Sequence, residues 1–149
     1  MQQRLNYYKL GQDLLEPMVA LERVLATSSL GVSLLELVKI RASQINGCAY
    51  CLNMHLEDAR KAGIPQQKLD VVAAFDESPA FDARERAALA WTESLTEVAG
   101  RGAPAPLYAQ LEELFTERER VDLTMAICAI NSWNRLAIAF RAVHPTRDP

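Results

Sequence analysis

Residues 33–63 of this chain read SLLELVKIRASQINGCAYCLNMHLEDARKAG, and the other segments are expected to fold around them. Cys48, Cys51 and His55 follow one another at intervals of three and four residues. Positions with these spacings share one face of an α-helix, so we expect the three side chains to form a single stripe. Glu36 lies on the helix before them, close enough in sequence to face the same site.

The composition is that of an ordinary globular protein. The chain has 149 residues, of which half are hydrophobic and 23% charged, and its net charge is −3. This length fits one domain, residues 1–149, with a core that needs no disulfide staples. The slight negative charge argues against a nucleic-acid partner. The N-terminus has no apolar run of the signal-peptide type, and charged and polar residues interrupt the most apolar stretch, so we expect no membrane segment and a cytoplasmic protein.

Helical periodicity predicts an all-α fold, a compact bundle of about seven helices. Three residue pairs have the capping-box pattern at the start of a helix, namely Ser33 with Glu36, Asp82 with Glu85, and Thr116 with Glu119. Gly47 is expected to end a helix with a positive φ, and Pro17 to start or kink the first one. The predicted helices span about residues 8–26, 33–46, 48–62, 65–75, 84–99, 106–115 and 117–143.

The last predicted helix is apolar on nearly every side, which indicates burial on several sides. In a chain this small, a second subunit is a plausible source of that cover, so we expect a homo-oligomer. Cys128 lies in this helix and is expected to be a buried small hydrophobic residue.

The spacing of the cysteines favours thiol redox chemistry. Unpaired backbone N–H groups and the helix dipole stabilise a thiolate at a helix start, where Cys48 is predicted. Such sites lower a cysteine pKa from near ~8.5 to about 3.5–7.5. One thiolate can then attack a substrate while the other closes a disulfide, Cys48–Cys51. His55 is one turn beyond Cys51, in reach to exchange a proton with it.

Two alternatives remain open from the residues alone. The two cysteines, His55 and Glu36 could instead hold a zinc ion, although we favour the redox interpretation. Glu36 could simply cap its helix or pair with Lys39, three residues on. Ser43 lies on the same helix face as Glu36, which makes that face polar.

The motifs occur in a specific order: ELVK at residues 36–39, SQINGCAYC at 43–51, His55, and DARERAALAW at 82–91. In this order and spacing they resemble the alkylhydroperoxidase D-like branch of the carboxymuconolactone decarboxylase superfamily. The resemblance implies an all-helical subunit that assembles into trimers or hexamers, and peroxidase activity without haem, flavin or another cofactor.

The resemblance also implies roles for the site residues. Cys51 is expected to attack the peroxide and Cys48 to resolve the product, with Glu36 and His55 as the proton relay. Tyr50 is a departure, because well-studied peroxidase members carry a histidine between the two cysteines. A phenol titrates near ~10 and is no base at neutral pH, although it can donate a hydrogen bond.

The sequence therefore predicts a thiol peroxidase that reduces small organic hydroperoxides and is reset by an external dithiol or a thioredoxin-like protein. The alternatives are a thiol-disulfide exchange or redox-sensing module with little peroxidase activity, and a metal-binding helical module.

Overall fold

The structure is a computed structural model that describes residues 2–146. These residues form an all-helical subunit without strands, which confirms the predicted fold class. They contain nine α-helices and one 3₁₀ helix instead of about seven helices. The α-helices are α1 (Tyr7–Leu10), α2 (Gln12–Leu25), α3 (Val32–Asn46), α4 (Ala49–Lys61), α5 (Gln66–Val71), α6 (Ala83–Thr96), α7 (Val98–Arg101), α8 (Ala105–Leu114) and α9 (Glu117–Ala139); the 3₁₀ helix spans Val72–Glu77.

The predicted number of helices was wrong because single non-helical residues divide two of them. Gly11 separates α1 from α2 inside the predicted helix at 8–26. Glu97, with φ −105° and ψ 34°, separates α6 from α7 inside the one predicted at 84–99. Helix α2 continues through Pro17 and begins five residues earlier, at Gln12, so this proline does not mark its start.

Two of the three predicted capping boxes are confirmed. The side chains of Asp82 and Thr116 each accept a hydrogen bond from the backbone three residues on, and the reciprocal glutamate contacts are also made. The box predicted for Ser33 and Glu36 was wrong. Helix α3 begins one residue earlier, after Gly31, which has a φ of 80° and provides no side-chain cap. Glu36 therefore does not cap α3. Its side chain is buried in the protein, and the residue is 7% exposed.

Helix α3 is the centre of the fold and packs against α4, α6 and α9. Leu37 and Ile40 face a cluster that α4 and the 3₁₀ helix share, whereas Leu35 and Val38 face a cluster built with α6 and α9. Because apolar residues lie on opposite sides of α3, it is buried on more than one face. This central position places the end of α3, and the turn into α4, beneath α9.

Helix α9 is partly buried and partly exposed in the subunit. Leu123, Ile127 and Ile130 lie in the core, whereas Met125 is 38% exposed. Cys128 is exposed, so the expectation that it is buried was wrong for the single subunit. It lies on the outward side of α9, and the predicted oligomer stays a prediction.

Within residues 2–146, no helix combines the length and apolar character needed to cross a membrane.

Candidate active site

The turn between α3 and α4 positions both cysteines. Gly47 ends α3 in the left-handed region, with the predicted positive φ at 69°, and the backbone N–H of Cys48 donates to the carbonyl of Ser43 at 3.0 Å. Cys48 is the N-cap of α4, and its Sγ accepts the backbone N–H of Cys51 at 3.3 Å. The two cysteines form a disulfide, with their Cα atoms 5.4 Å apart. The pair is thus held at the amino end of a helix, where a thiolate is stabilised.

The predicted relay residues lie side by side. His55 Nδ1 is 2.9 Å from Glu36 Oε2, and both residues are 7% exposed. An ionised carboxylate only accepts hydrogen bonds, so the contact with an ionised Glu36 assigns the ring hydrogen to Nδ1. The other ring nitrogen, Nε2, is then the basic one. The contact joins α3 to α4 and orients the imidazole.

Lys39 connects Glu36 to a second carboxylate, Glu22. Lys39 Nζ lies 3.9 Å from Glu36 Oε1 and donates to Glu22 Oε2 at 2.8 Å. Glu22 in turn accepts the indole N–H of Trp133 at 3.2 Å. Lys39 is therefore a largely buried bridge between two carboxylates, and not the solvated partner of Glu36 alone. Glu22 and Trp133 were not found from the sequence, because they reach the site from α2 and α9 without a local motif.

Cys51 and His55 line one pocket of about 200 Å³. Its other walls are mainly aromatic: Tyr7, Tyr8, Tyr50 and Trp133. Tyr8 and Trp133 stack with their ring centroids 6.1 Å apart. The short helix α1 thus forms part of the pocket, which sequence analysis missed.

Tyr7 and Tyr8 are hydrogen-bond donors in this pocket at neutral pH. Burial, together with the neighbouring hydroxyls of Tyr8 and Tyr50, raises the pKa of Tyr7 to about 12. Burial also raises the pKa of Tyr8. Both phenols therefore keep their protons. Tyr50, between the two cysteines, adds a third hydroxyl-bearing side chain to the pocket in place of an imidazole.

A buried amide network lies under the turn that carries the cysteines. The side chain of Asn134, on α9, donates to Ser43 Oγ at 3.0 Å, and Asn46 donates to Asn134 Oδ1 at 2.9 Å. Asn46 also donates to Asn131 Oδ1 at 2.9 Å. The polar face expected around Ser43 thus points to α9. Because buried polar groups are costly to leave unpaired, this network fixes the end of α3 against α9.

The structure does not present Cys48, Cys51, His55 and Glu36 as four free zinc ligands. The two sulfurs are joined to each other, so they are not free thiolates in this structure. Glu36, His55 and Asp58 each offer one potential ligand atom, and these atoms lie within 4.8 Å of one another. Asp58 is exposed and pairs with Lys61 at 3.3 Å. The metal-binding alternative therefore stays a prediction.

The segment that carries the site also lies within the part of the chain that matches a known family. A model of the carboxymuconolactone decarboxylase family matches residues 12–94, more than half of the chain. This chain belongs to the carboxymuconolactone decarboxylase family. The match includes all four predicted site residues, and the resemblance drawn from the sequence is confirmed.

Three proteins are similar to this family member, and two of them have no assigned function. The uncharacterized protein YdfG of Bacillus subtilis (strain 168) is 39% identical, over 93% of this chain and 95% of its own length. The crystal structure of ATU0492 from Agrobacterium tumefaciens, a protein of unknown function for which the role of the antioxidant defence protein AhpD has only been suggested, is 38% identical with a TM-score of 0.94, over 98% of this chain and 100% of its own. The debrominase Bmp8 has a TM-score of 0.81 over 89% of this chain and 72% of its own; at 19% identity it shows a shared fold only.

Proposed function

We propose that this family member is a thiol-dependent peroxidase that reduces small organic hydroperoxides through Cys48 and Cys51. The observation that carries the proposal is the pocket in which Cys51 and His55 meet, with the second sulfur already in bonding range of the first. A nucleophile, a base and a resolving thiol are the parts that this chemistry needs.

In the proposed reaction the Cys51 thiolate attacks the outer oxygen of the hydroperoxide, and the O–O bond breaks. His55, oriented by Glu36, delivers a proton to the departing alkoxide, so an alcohol leaves and Cys51 becomes a sulfenic acid. Cys48 then attacks that sulfur, water is released, and the disulfide forms. In this proposed cycle the Cys48–Cys51 disulfide is the oxidised product. An external dithiol or thioredoxin-like protein must return two electrons.

The pocket supports a restricted substrate range. At about 200 Å³ it is smaller than common drug-sized sites. Its tyrosine and tryptophan walls favour compact apolar or aromatic groups, and phenol hydroxyls can donate to a peroxide oxygen. Cumene hydroperoxide and tert-butyl hydroperoxide are therefore the first substrates to test, with a fatty-acid hydroperoxide as the bulky comparison.

The test is peroxide consumption by the reduced protein, titrated against loss of thiols. For wild type we expect one equivalent of cumene hydroperoxide to be consumed as two thiols disappear, and Cys51→Ser to abolish both. Cys128→Ser is the matched control, because it removes an exposed cysteine outside the pocket and leaves the reaction intact. Thiols that survive excess peroxide in wild type, yet exchange quickly with disulfides, would contradict the proposal in favour of a redox-exchange or sensing module.

The aromatic walls of the same pocket favour a second candidate, reductive debromination of a small aromatic ring. The thiol pair would supply two electrons, bromide would leave, and the ring would gain a proton as the disulfide forms. The solved Bmp8 debrominase variant is bound to 2,3,4-tribromopyrrole, which makes that compound a suitable probe. Release of bromide with thiol loss, and no reaction with hydroperoxides, would replace the first proposal by this one.

A further inference from the structure

The two sulfurs of the disulfide open into two different pockets. Cys51 lines the aromatic pocket, whereas Cys48 lines a second pocket of about 210 Å³. Cys48 is 1% exposed and Cys51 2% exposed, so a reagent reaches each sulfur through the pocket that it lines. Tyr50 and Ala137 line both pockets and therefore form the wall between them.

Arg141 gives the second pocket a positive charge. Of the described residues that line this pocket, Arg141 alone carries a charge. Its side chain is exposed, and among residues 2–146 no carboxylate forms an ion pair with it. An anion that enters this pocket therefore meets the positive charge of Arg141 in the same pocket that Cys48 lines.

The backbone of Arg141 is strained at this position. Its φ is 53°, in the left-handed region, one residue after Phe140, the C-cap of α9. The N–H of Ala142 donates to the carbonyl of Ala137 at 2.8 Å, which is the bond that closes a Schellman turn. Glycine is the usual residue here, because any side chain in this conformation costs free energy. A strained arginine in the pocket that Cys48 also lines points to a role that glycine could not fill.

We propose that this second pocket, the donor pocket (Gly47, Cys48, Tyr50, Ile138 and Arg141), admits a small anionic dithiol that reduces the disulfide by attacking Cys48. The inference rests on the proposed redox cycle of the cysteine pair, and it adds the site and the charge of the electron donor. Hydroperoxide and donor then approach the pair from opposite sides of the Tyr50 wall.

The electron balance of this step determines which sulfur is released. A donor thiolate bonds to Cys48 Sγ, the Cys48–Cys51 bond breaks, and Cys51 leaves as a thiolate into the pocket that holds His55. The second thiol of the donor then attacks the donor's own sulfur and releases Cys48. The donor departs as a disulfide, having given two electrons and two protons. Cys51, the proposed attacking residue, is thereby restored beside its base.

The first test measures reduction of the purified oxidised protein by two dithiols that differ in charge, 2,3-dimercaptopropane-1-sulfonate and 2,3-dimercaptopropanol. At low ionic strength we expect Arg141→Gln to slow reduction by the sulfonate about three- to tenfold and to change the rate of reduction by the neutral dithiol less than twofold. This difference between the two dithiols should be lost at high salt. Arg141→Gly should act in the same way and fold at least as well, since glycine relieves the strain. Arg141→Lys should keep most of the preference.

Arg23→Gln is the matched control, because it removes an equal charge from an exposed position on α2 and should leave both rates unchanged. Equal slowing of both dithiols by Arg141→Gln, or no slowing of either, would overturn the donor pocket. These rates involve no peroxide, so a failure of the peroxidase proposal is seen separately.

The second test identifies the attacked sulfur. The oxidised protein is treated with 2-mercaptoethanesulfonate in the presence of iodoacetamide, and the peptide that carries both cysteines is fragmented in a mass spectrometer. We expect the sulfonate adduct on Cys48 and the alkyl group on the released Cys51. The reverse placement would overturn the proposed direction of attack.

Discussion

Glu36→Gln tests whether the buried carboxylate orients the base or only fills space. The substitution keeps the size of the side chain but removes the charge beside His55 Nδ1, 2.9 Å away. A hydrogen bond to a charged partner contributes about 1.5–3 kcal/mol, against about 0.5–1.5 kcal/mol for a neutral one. The loss of about 1–2 kcal/mol corresponds to a rate reduction of roughly five- to thirtyfold. The amide can also donate to Nδ1, which would leave His55 in the wrong tautomer and make the reduction larger.

The assay is single-turnover oxidation of the reduced thiols by cumene hydroperoxide in a stopped-flow instrument. Lys39 keeps its 2.8 Å bond to Glu22, so the variant should remain folded. Glu93→Gln is the matched control, because it breaks the pair of that carboxylate with Arg41, at 2.6 Å, and should lower stability without slowing thiol oxidation. A Glu36→Gln rate within twofold of wild type would refute the orienting role and leave Glu36 a structural residue.

Three further predictions concern stability, assembly and the pocket. The hydrogen bond from Arg84 and the backbone of Thr116 hold the pKa of Glu119 at about 2, so the stability it contributes is complete above about pH 4.5 and is lost as the pH falls toward 2. Glu119→Gln should lower the free energy of unfolding by about 2 kcal/mol at pH 7. The melting temperature of the variant should also fall less steeply than that of wild type as the pH drops below about 4.5, and an equally steep fall would contradict this. Met125→Glu, on the exposed side of α9, should dissociate the expected homo-oligomer in analytical ultracentrifugation; an oligomer that persists would show that this face is not the interface. Tyr8→Ala should widen the aromatic pocket and raise kcat/KM for a bulky hydroperoxide relative to tert-butyl hydroperoxide; an unchanged ratio would show that Tyr8 does not limit size.

The parts of the site that come from one continuous segment could be predicted from the sequence. Helical spacing brought Cys51 and His55 into one pocket, and the positive φ of Gly47 follows from its position after a helix. The location of Glu36 could not be predicted in the same way, because Ser33 and Glu36 match a capping pattern. The turn at Gly31 starts the helix one residue earlier and removes that cap.

The walls of the pocket could not be predicted, because distant helices bring them together. Tyr8 and Trp133 stack although they are far apart in sequence, and Glu22 joins the site through Lys39. None of these residues belongs to a local motif, so only tertiary packing identifies them. Cys128 shows a second limit of prediction from sequence. Apolar neighbours along the sequence do not specify which side of a helix faces solvent.

The central claim is that Cys51 attacks the peroxide and Cys48 resolves the product, and Cys48→Ser tests it most directly. The reduced variant is treated with one equivalent of cumene hydroperoxide, trapped with dimedone, and analysed by peptide mass spectrometry. We expect a dimedone adduct on Cys51 in Cys48→Ser, and in wild type a Cys48–Cys51 disulfide with little adduct. An adduct on Cys48 in the Cys51→Ser variant, formed as fast as wild type consumes peroxide, would contradict it.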